Sequence, residues 1–222
     1  RALASEHRPE VRNCAVKSLA TALLSHGCKV GLACYQRCLS DILLKVLTEI
    51  QAARNAGGNS RRKSENLIVH HSRDTPEKQW DETLALAFDG VRRVLSHFSE
   101  QAGAKAFAPL AYAMLLQVQE TLRTLGSETS TSAIRALVDL MRIPSAIQMF
   151  EVELLTVDPR LPPGDVTMTS VWLLGWRVLW RLLCHCMSRE LPENLIESFT
   201  ASMAALRSSH SHCFSPAQHL IL

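Results

Sequence analysis

Apolar residues in this chain recur at three- and four-residue steps in seven successive stretches, the spacing that lines one face of an α-helix. Val11, Cys14, Ala15, Ser18, Leu19, Ala22 and Leu23 follow Pro9 and stop at Gly27, so the first helix carries its own start and stop signals. A second helix is expected from about Ala33 to Arg54. Its stripe is Leu39, Ile42, Leu43, Val46, Leu47 and Ile50, with Lys45 and Glu49 paired outside it.

The third helix starts inside "HHSRDTPEKQWDET". Asp74 or Thr75 can cap the free backbone N–H groups, Pro76 suits the first helical position, and Glu77 supports a capping arrangement. Trp80, Leu84, Ala87, Phe88, Val91, Val94, Leu95 and Phe98 form its stripe. A fourth helix carries Phe107, Leu110, Ala111, Met114, Val118, Leu122 and Leu125. A fifth carries Ile134, Leu137, Val138 and Met141 and ends before Pro144. The sixth, "VTMTSVWLLGWRVLWRLLCHCMSRE", is the most hydrophobic, with Trp172, Trp176 and Trp180 four apart on one side. Arg177, Arg181 and His185 make a polar stripe in mid-segment, which is costly in lipid and natural for a helix packed on two sides. A seventh starts at Pro192 and uses Ile196, Phe199, Met203 and Leu206, and Ser215-Pro216 opens another.

Composition agrees with helices. Leu and Ala dominate the 222 residues, aromatic residues make up 5%, and no strand pattern competes. The predicted class is all-α, an armadillo/HEAT-like helical-repeat solenoid whose pairs stack to share a core, with a compact bundle as the alternative. "RPEVRNCAVKSLATALLSHG" has the arrangement of a HEAT-repeat second helix, with Val11, an outward Arg12, Ala15 and Leu19 in order. The expected organisation is a helical repeat pair over 1–54, a polar loop and junction over 55–75, and helical repeats over 76–143. A Pro-punctuated connection over 144–165 and further repeats over 166–222 complete it. The absence of an initial Met and the helix start near the end suggest a piece of a longer protein.

Several function classes lose support. A net charge of +3, with the one basic run Arg61-Arg62-Lys63 in a polar loop, makes no electrostatic case for nucleic acid. No glycine-rich phosphate cradle is present. Seven cysteines, an odd number set mostly among apolar neighbours, read as buried reduced thiols in the cytosol. Cys34 with Cys38, Cys184-His185-Cys186, and His210 to Cys213 lack paired C-x-x-C zinc spacing. His70 and His71 are adjacent, so in an extended segment they point opposite ways, and no H-E-x-x-H accompanies them. Cys14 or Cys28 with His26 lacks an oxyanion site and an orienting acid. The expectation is no catalytic, cofactor or metal site and no cofactor.

The order of "RPEVRNCAVKSLATALLSHG", "NLIVHHSRDTPEKQWDETLALAFDGVRRVL", the Trp-rich helix and "PENLIESFTASMAAL" resembles the Mon-two (monensin-sensitivity) family. These are large cytosolic scaffolds related to the big Arf guanine-nucleotide exchange factors. The most specific part of the likeness is "HHSRDTPEKQWDET". The resemblance implies an armadillo/HEAT-type region C-terminal to where the related exchange factors carry a catalytic domain that family members lack. It further implies a cytoplasmic protein, peripheral on trans-Golgi network and endosome membranes, working in retrograde and Golgi-to-endosome transport. Implied partners are a Dopey-family protein, a phospholipid flippase complex and Arf-like small GTPases. The Cys-rich second helix, the connection at 144–165 and the basic loop at 55–66 depart from the pattern. Two alternatives stand beside this reading: the regulatory helical region of an active large Arf exchange factor, and a HEAT-type transport receptor.

The residues expected to form a partner-binding or inter-repeat junction are His70, His71, Ser72, Arg73, Lys78 and Gln79, with Trp80 anchoring the helix in the core. His71 or Arg73 could bond carbonyls left free at a neighbouring helix end.

Overall fold

Pro9, whose missing N–H costs nothing at a helix start, begins α1 (Pro9–His26). In the computed structural model, which describes residues 2–6, 8–60, 75–123, 128–153, 166–186 and 193–210, the chain is built from helices. α2 (Leu32–Cys38), a π-helical segment (Leu39–Leu43) and α3 (Leu44–Ser60) run on as one rod. α4 (Pro76–Ser99), α5 (Ala104–Arg123), α6 (Glu128–Met141), α7 (Val171–Cys186) and α8 (Glu193–His210) follow. Short 3-10 turns at Ala2–Ser5, Gly27–Val30 and Pro144–Ile147 link or precede them.

The packing order is that of stacked helical pairs. α1 packs on α4, α4 on α6 and α6 on α8, forming one layer. α3 packs on α5 and α5 on α7, forming the other, and α3–α4, α4–α5, α5–α6 and α6–α7 contacts join the two. Contacts to the next-but-one helix are how repeats share a core along a stack, since a single pair cannot bury its apolar faces alone. Leu47, Ile50, Leu84, Phe88, Leu95, Phe98, Phe107, Met114 and Ile134 are fully buried between the layers. Each such side chain contributes roughly 1.5–3 kcal/mol relative to exposure.

The structure moves several expected boundaries and faces. Helix continues to Ser60, through the Asn55–Ser60 stretch expected to be loop; residues 61–74, including Arg61-Arg62-Lys63, lie outside the described residues. So do Leu125, the side chains of His185 and His210, residues 211–213 beyond the end of α8, and Ser215-Pro216. The expected sixth helix begins five residues later than its hydrophobicity suggested. Val166–Ser170 is a strand (β2) paired antiparallel with β1 (Met149–Glu153), with Met149 opposite Ser170 and Glu153 opposite Val166. The β-branched residues of Val166-Thr167-Met168-Thr169 favour that pairing. Ser170 Oγ then accepts the Leu173 N–H at 3.2 Å, a cap that fixes the start of α7.

On α1 the buried residues are Arg12, Val16, Ala20 and Leu23, whereas Cys14, Ser18 and Ala22 of the expected stripe are exposed. Ile42 and Ile196 also face solvent. Of the cysteines expected to be buried, those whose side chains are described are not: Cys14, Cys28, Cys34 and Cys184 are free and exposed, and Cys38 is half-buried. Among the described residues no helix is long and apolar enough to cross a membrane.

The three tryptophans of α7 do not share one environment. Residues four apart drift about 40° around a helix of 3.6 residues per turn, so Trp172 is buried, Trp176 half-buried and Trp180 42% exposed.

Tyr35 locks the far end of α4. Its ring is fully buried, edge-on to Phe98 with centroids 5.2 Å apart, and its hydroxyl lies 3.2 Å from His97 Nδ1. A Cβ on Gly27 would stand 2.4 Å from that ring. Gly27→Ala should therefore cost about 1–3 kcal/mol of overpacking, read as a lower midpoint in denaturant unfolding with helicity retained in buffer. Burial, helped by nearby Cys28, pushes the Tyr35 phenol up to about 12, and burial also raises Tyr112. Stability tied to the neutral phenol is complete below the ordinary tyrosine value and is lost as pH rises through the folded one. Ultraviolet titration should accordingly show little tyrosinate at about pH 10, where a free phenol is half ionised.

Candidate functional site

α4 carries Lys78, Gln79 and Trp80 of the predicted junction, and Thr75 provides its cap. Thr75 Oγ1 accepts the Lys78 N–H at 3.3 Å and Pro76 occupies the first turn. Gln79 N–H bonds the Thr75 carbonyl at 3.1 Å, so the first turn is closed from within. Lys78 is exposed, Gln79 half-buried and Trp80 half-buried against the core. His70, His71, Ser72 and Arg73 lie outside the described residues.

Trp80 is one half of a contact that sequence periodicity did not reveal. The Arg12 guanidinium carbon lies 3.8 Å from the Trp80 ring centroid, and Arg12 is only 1% exposed. Arg12 Nε donates to Thr83 Oγ1 at 3.3 Å, and Nη1 donates to the Glu6 carbonyl at 2.9 Å. The Thr83 hydroxyl in turn lies 3.0 Å from the Gln79 carbonyl and 2.7 Å from Asn13 Oδ1, giving its single proton two acceptors. On the opposite flank Asp81 of α4 pairs with Arg54 of α3. The start of α4 is thus held by α1 on one side and by α3 on the other.

The expectation of an outward Arg12 is corrected here. Its planar cation can lie flat on an indole and fork to two acceptors, which lets the apolar stem be buried with Nε and Nη1 bonded. Burial lowers its pKa, while Glu10 and Glu82 pull it back up. The expectation of Trp80 as a core anchor is modified in the same way: its ring is a platform between the core and a buried cation. The 4-4-3 spacing of Arg12, Val16, Ala20 and Leu23 was visible in the sequence, but a charge at its head reads as solvent-facing. Arg54 and Asp81 carried no signal beyond being opposite charges on separate helices.

Chemically, this arrangement orients and rigidifies. Arg12 Nε and Nη1, the Thr83 hydroxyl and Asn13 Oδ1 are engaged with one another or with backbone carbonyls, and the exposed charges on this stretch of α4 are Lys78 and Glu82, one turn apart. Removing the indole by Trp80→Ala should cost about 2–4 kcal/mol, because a half-buried ring is lost and a buried guanidinium loses its cover. Arg12→Lys should cost about 1–2 kcal/mol despite keeping the charge, since an ammonium cannot stack or fork in the same way. Both are read by chemical denaturation, and an Arg12→Lys protein as stable as the original would remove the stacking argument.

The profile of the C-terminal region of the Mon2 protein matches residues 2–160 of this chain. Among curated proteins, the chain is 26% identical over 173 residues to "Protein MON2 homolog" of Drosophila melanogaster, covering 77% of this chain and 10% of that protein. It is 26% identical over 151 residues to the Homo sapiens "Protein MON2 homolog", covering 66% and 9%. With "Monensin-resistant homolog 2" of Caenorhabditis elegans it shares 24% over 199 residues, covering 84% and 12%. The chain therefore spans about a tenth of the length of these relatives. No solved structure matches.

Proposed function

The chain belongs to the Mon2 family, and from that premise we propose that it is a non-enzymatic scaffold segment acting by protein–protein binding in Golgi-to-endosome and retrograde vesicle trafficking. The proposed setting is cytoplasmic and peripheral, on trans-Golgi network and endosome membranes. The proposed partners are a Dopey-family protein with its phospholipid flippase complex, and Arf-like small GTPases. The observation that carries this reading is the family match over residues 2–160. The stacked pairs support it, because a solenoid holds its loops and helix ends in fixed relation along an extended surface.

The proposed contact residues are His70, His71, Ser72, Arg73, Lys78 and Gln79, with Trp80 as the structural support behind them. The exposure of Lys78 in a first turn that the Thr75 cap closes favours this, since an ordered backbone lowers the entropy lost when a partner binds. In the full-length protein, a His71→Ala/Arg73→Ala double variant and a Lys78→Glu variant should each reduce recovery of the Dopey-type partner about tenfold, a loss of hot-spot size. Circular dichroism should be unchanged. Undiminished recovery by affinity purification and mass spectrometry would remove the contact assignment. A broad cargo set in place of membrane-trafficking proteins would instead favour the transport-receptor alternative.

A further inference from the structure

α7 leaves an apolar and cationic stripe uncovered. Leu173 and Trp180, each 42% exposed, stand seven residues apart and so fall on one face two turns apart. Arg177 lies between them and Cys184 continues the line, both exposed, while Arg181 is exposed beside it. The helix Val171–Cys186 contains no Asp or Glu. Several other described arginines sit among carboxylates: Arg92 bonds both Asp89 and Asp139, Arg142 reaches Asp139, Arg123 reaches Glu120 and Arg54 pairs with Asp81. Arg177 makes no salt bridge to any described residue.

We propose that the Leu173–Arg177–Trp180 stripe docks an acidic amphipathic helix of a partner protein. Leu173 and Trp180, about 10 Å apart along the axis, match the anchor spacing of a helix laid against a helical surface. Trp and Arg are the residue types enriched at the energetic centres of interfaces. Carboxylates flanking the partner's apolar side chains meet Arg177, which sets orientation and excludes basic helices. The stripe is one helix wide. The rest of its layer exposes both signs of charge, with Asp41 and Lys45 at the second rod and Lys105 and Glu120 on α5, so the apolar surface is too narrow for a bilayer to use. This surface is on α7 and not at the α1/α4 junction, and its assignment does not rest on the trafficking reading.

The test uses two labelled peptides of about 18 residues, long enough for five helical turns. Both carry Leu at heptad a and d positions, one with Glu and one with Lys elsewhere, and phosphatidylserine vesicles serve as a third probe. Fluorescence anisotropy should show the Glu peptide binding, with affinity falling as salt rises. Arg177→Glu and Trp180→Ala should each weaken it about tenfold or more, Arg177→Lys should retain most of it, and circular dichroism should be unchanged. Equal binding of the two peptides, or indifference to these substitutions, overturns the proposal. Vesicle binding that the same variants abolish, without peptide binding, overturns it in favour of a membrane face. Self-association that they abolish in sedimentation overturns it in favour of a second copy. In the full-length protein, Cys184 should react with maleimide at the rate of an open thiol; protection there would mean that the protein's own helices cover the stripe, and would overturn it too.

Discussion

Everything in this fold depends on α4 being buried from three directions at once. It packs on α1, α3 and α6, and its side chains from Leu84 to Phe98 fill the space between layers. A helix with one apolar stripe could settle on a single neighbour; one buried this widely cannot be satisfied by a hairpin and forces the stack to continue on both sides. The close approach of α1 is visible at Gly90, where an added Cβ would come 3.1 Å from the Cβ of Ala20. The two ends of α4 are then fixed by specific contacts: Arg12 on Trp80 at one, and the Tyr35 hydroxyl at His97 with its ring against Phe98 at the other.

Those end contacts differ in kind from the apolar middle. Hydrophobic packing tolerates a helix sliding or rotating slightly, whereas a buried guanidinium that loses its ring and hydroxyl is left with a large desolvation penalty. The Arg54–Asp81 pair adds the same kind of constraint from α3. Such groups contribute little net stability compared with well-packed apolar replacements, but they penalise the wrong register. Their place in the fold is where α1, α3 and α4 must agree on one arrangement.

The physical basis of what could be read in advance is local. Caps, prolines and three-to-four spacing gave the number and order of the helices, because they depend on residues within one or two turns of each other. Tyr35 was within reach of the same logic, lying one turn before Leu39 on its stripe. The burial of Arg12 was not, since it depends on Thr83, 71 positions further along the chain, and on Trp80, one turn before Thr83 on the same helix. The β1–β2 pairing was hidden for a similar reason: Val166–Ser170 is hydrophobic enough to extend the following helix until Met149–Glu153 is brought beside it. The rotation of Trp172, Trp176 and Trp180 out of the core was calculable from helix geometry alone, and an i, i+4 series is better read as a spiral than as a face. Of the junction, Thr75, Pro76 and Trp80 were legible because capping chemistry is local, whereas the cation that completes it comes from another helix.

The two regions of interest on this surface differ in what supports them. At the start of α4 the outward Lys78 sits in a turn closed by the Thr75 cap, on a helix that Arg12 and Asn13 tie to α1 through Thr83, so a partner meeting it encounters a surface already ordered by the protein itself. Among the described residues the burial of α7 is supplied by α5, α6, the Pro144–Ile147 turn and β2, and the face carrying Leu173, Arg177 and Trp180 stays exposed. An exposed indole flanked by positive charge gains from being covered by a surface that is both apolar and acidic, and gains much less from one that is only apolar, because the desolvated guanidinium would then be left without a counter-charge. The polarity of α7 therefore restricts what can cover it, even though the apolar area alone would not.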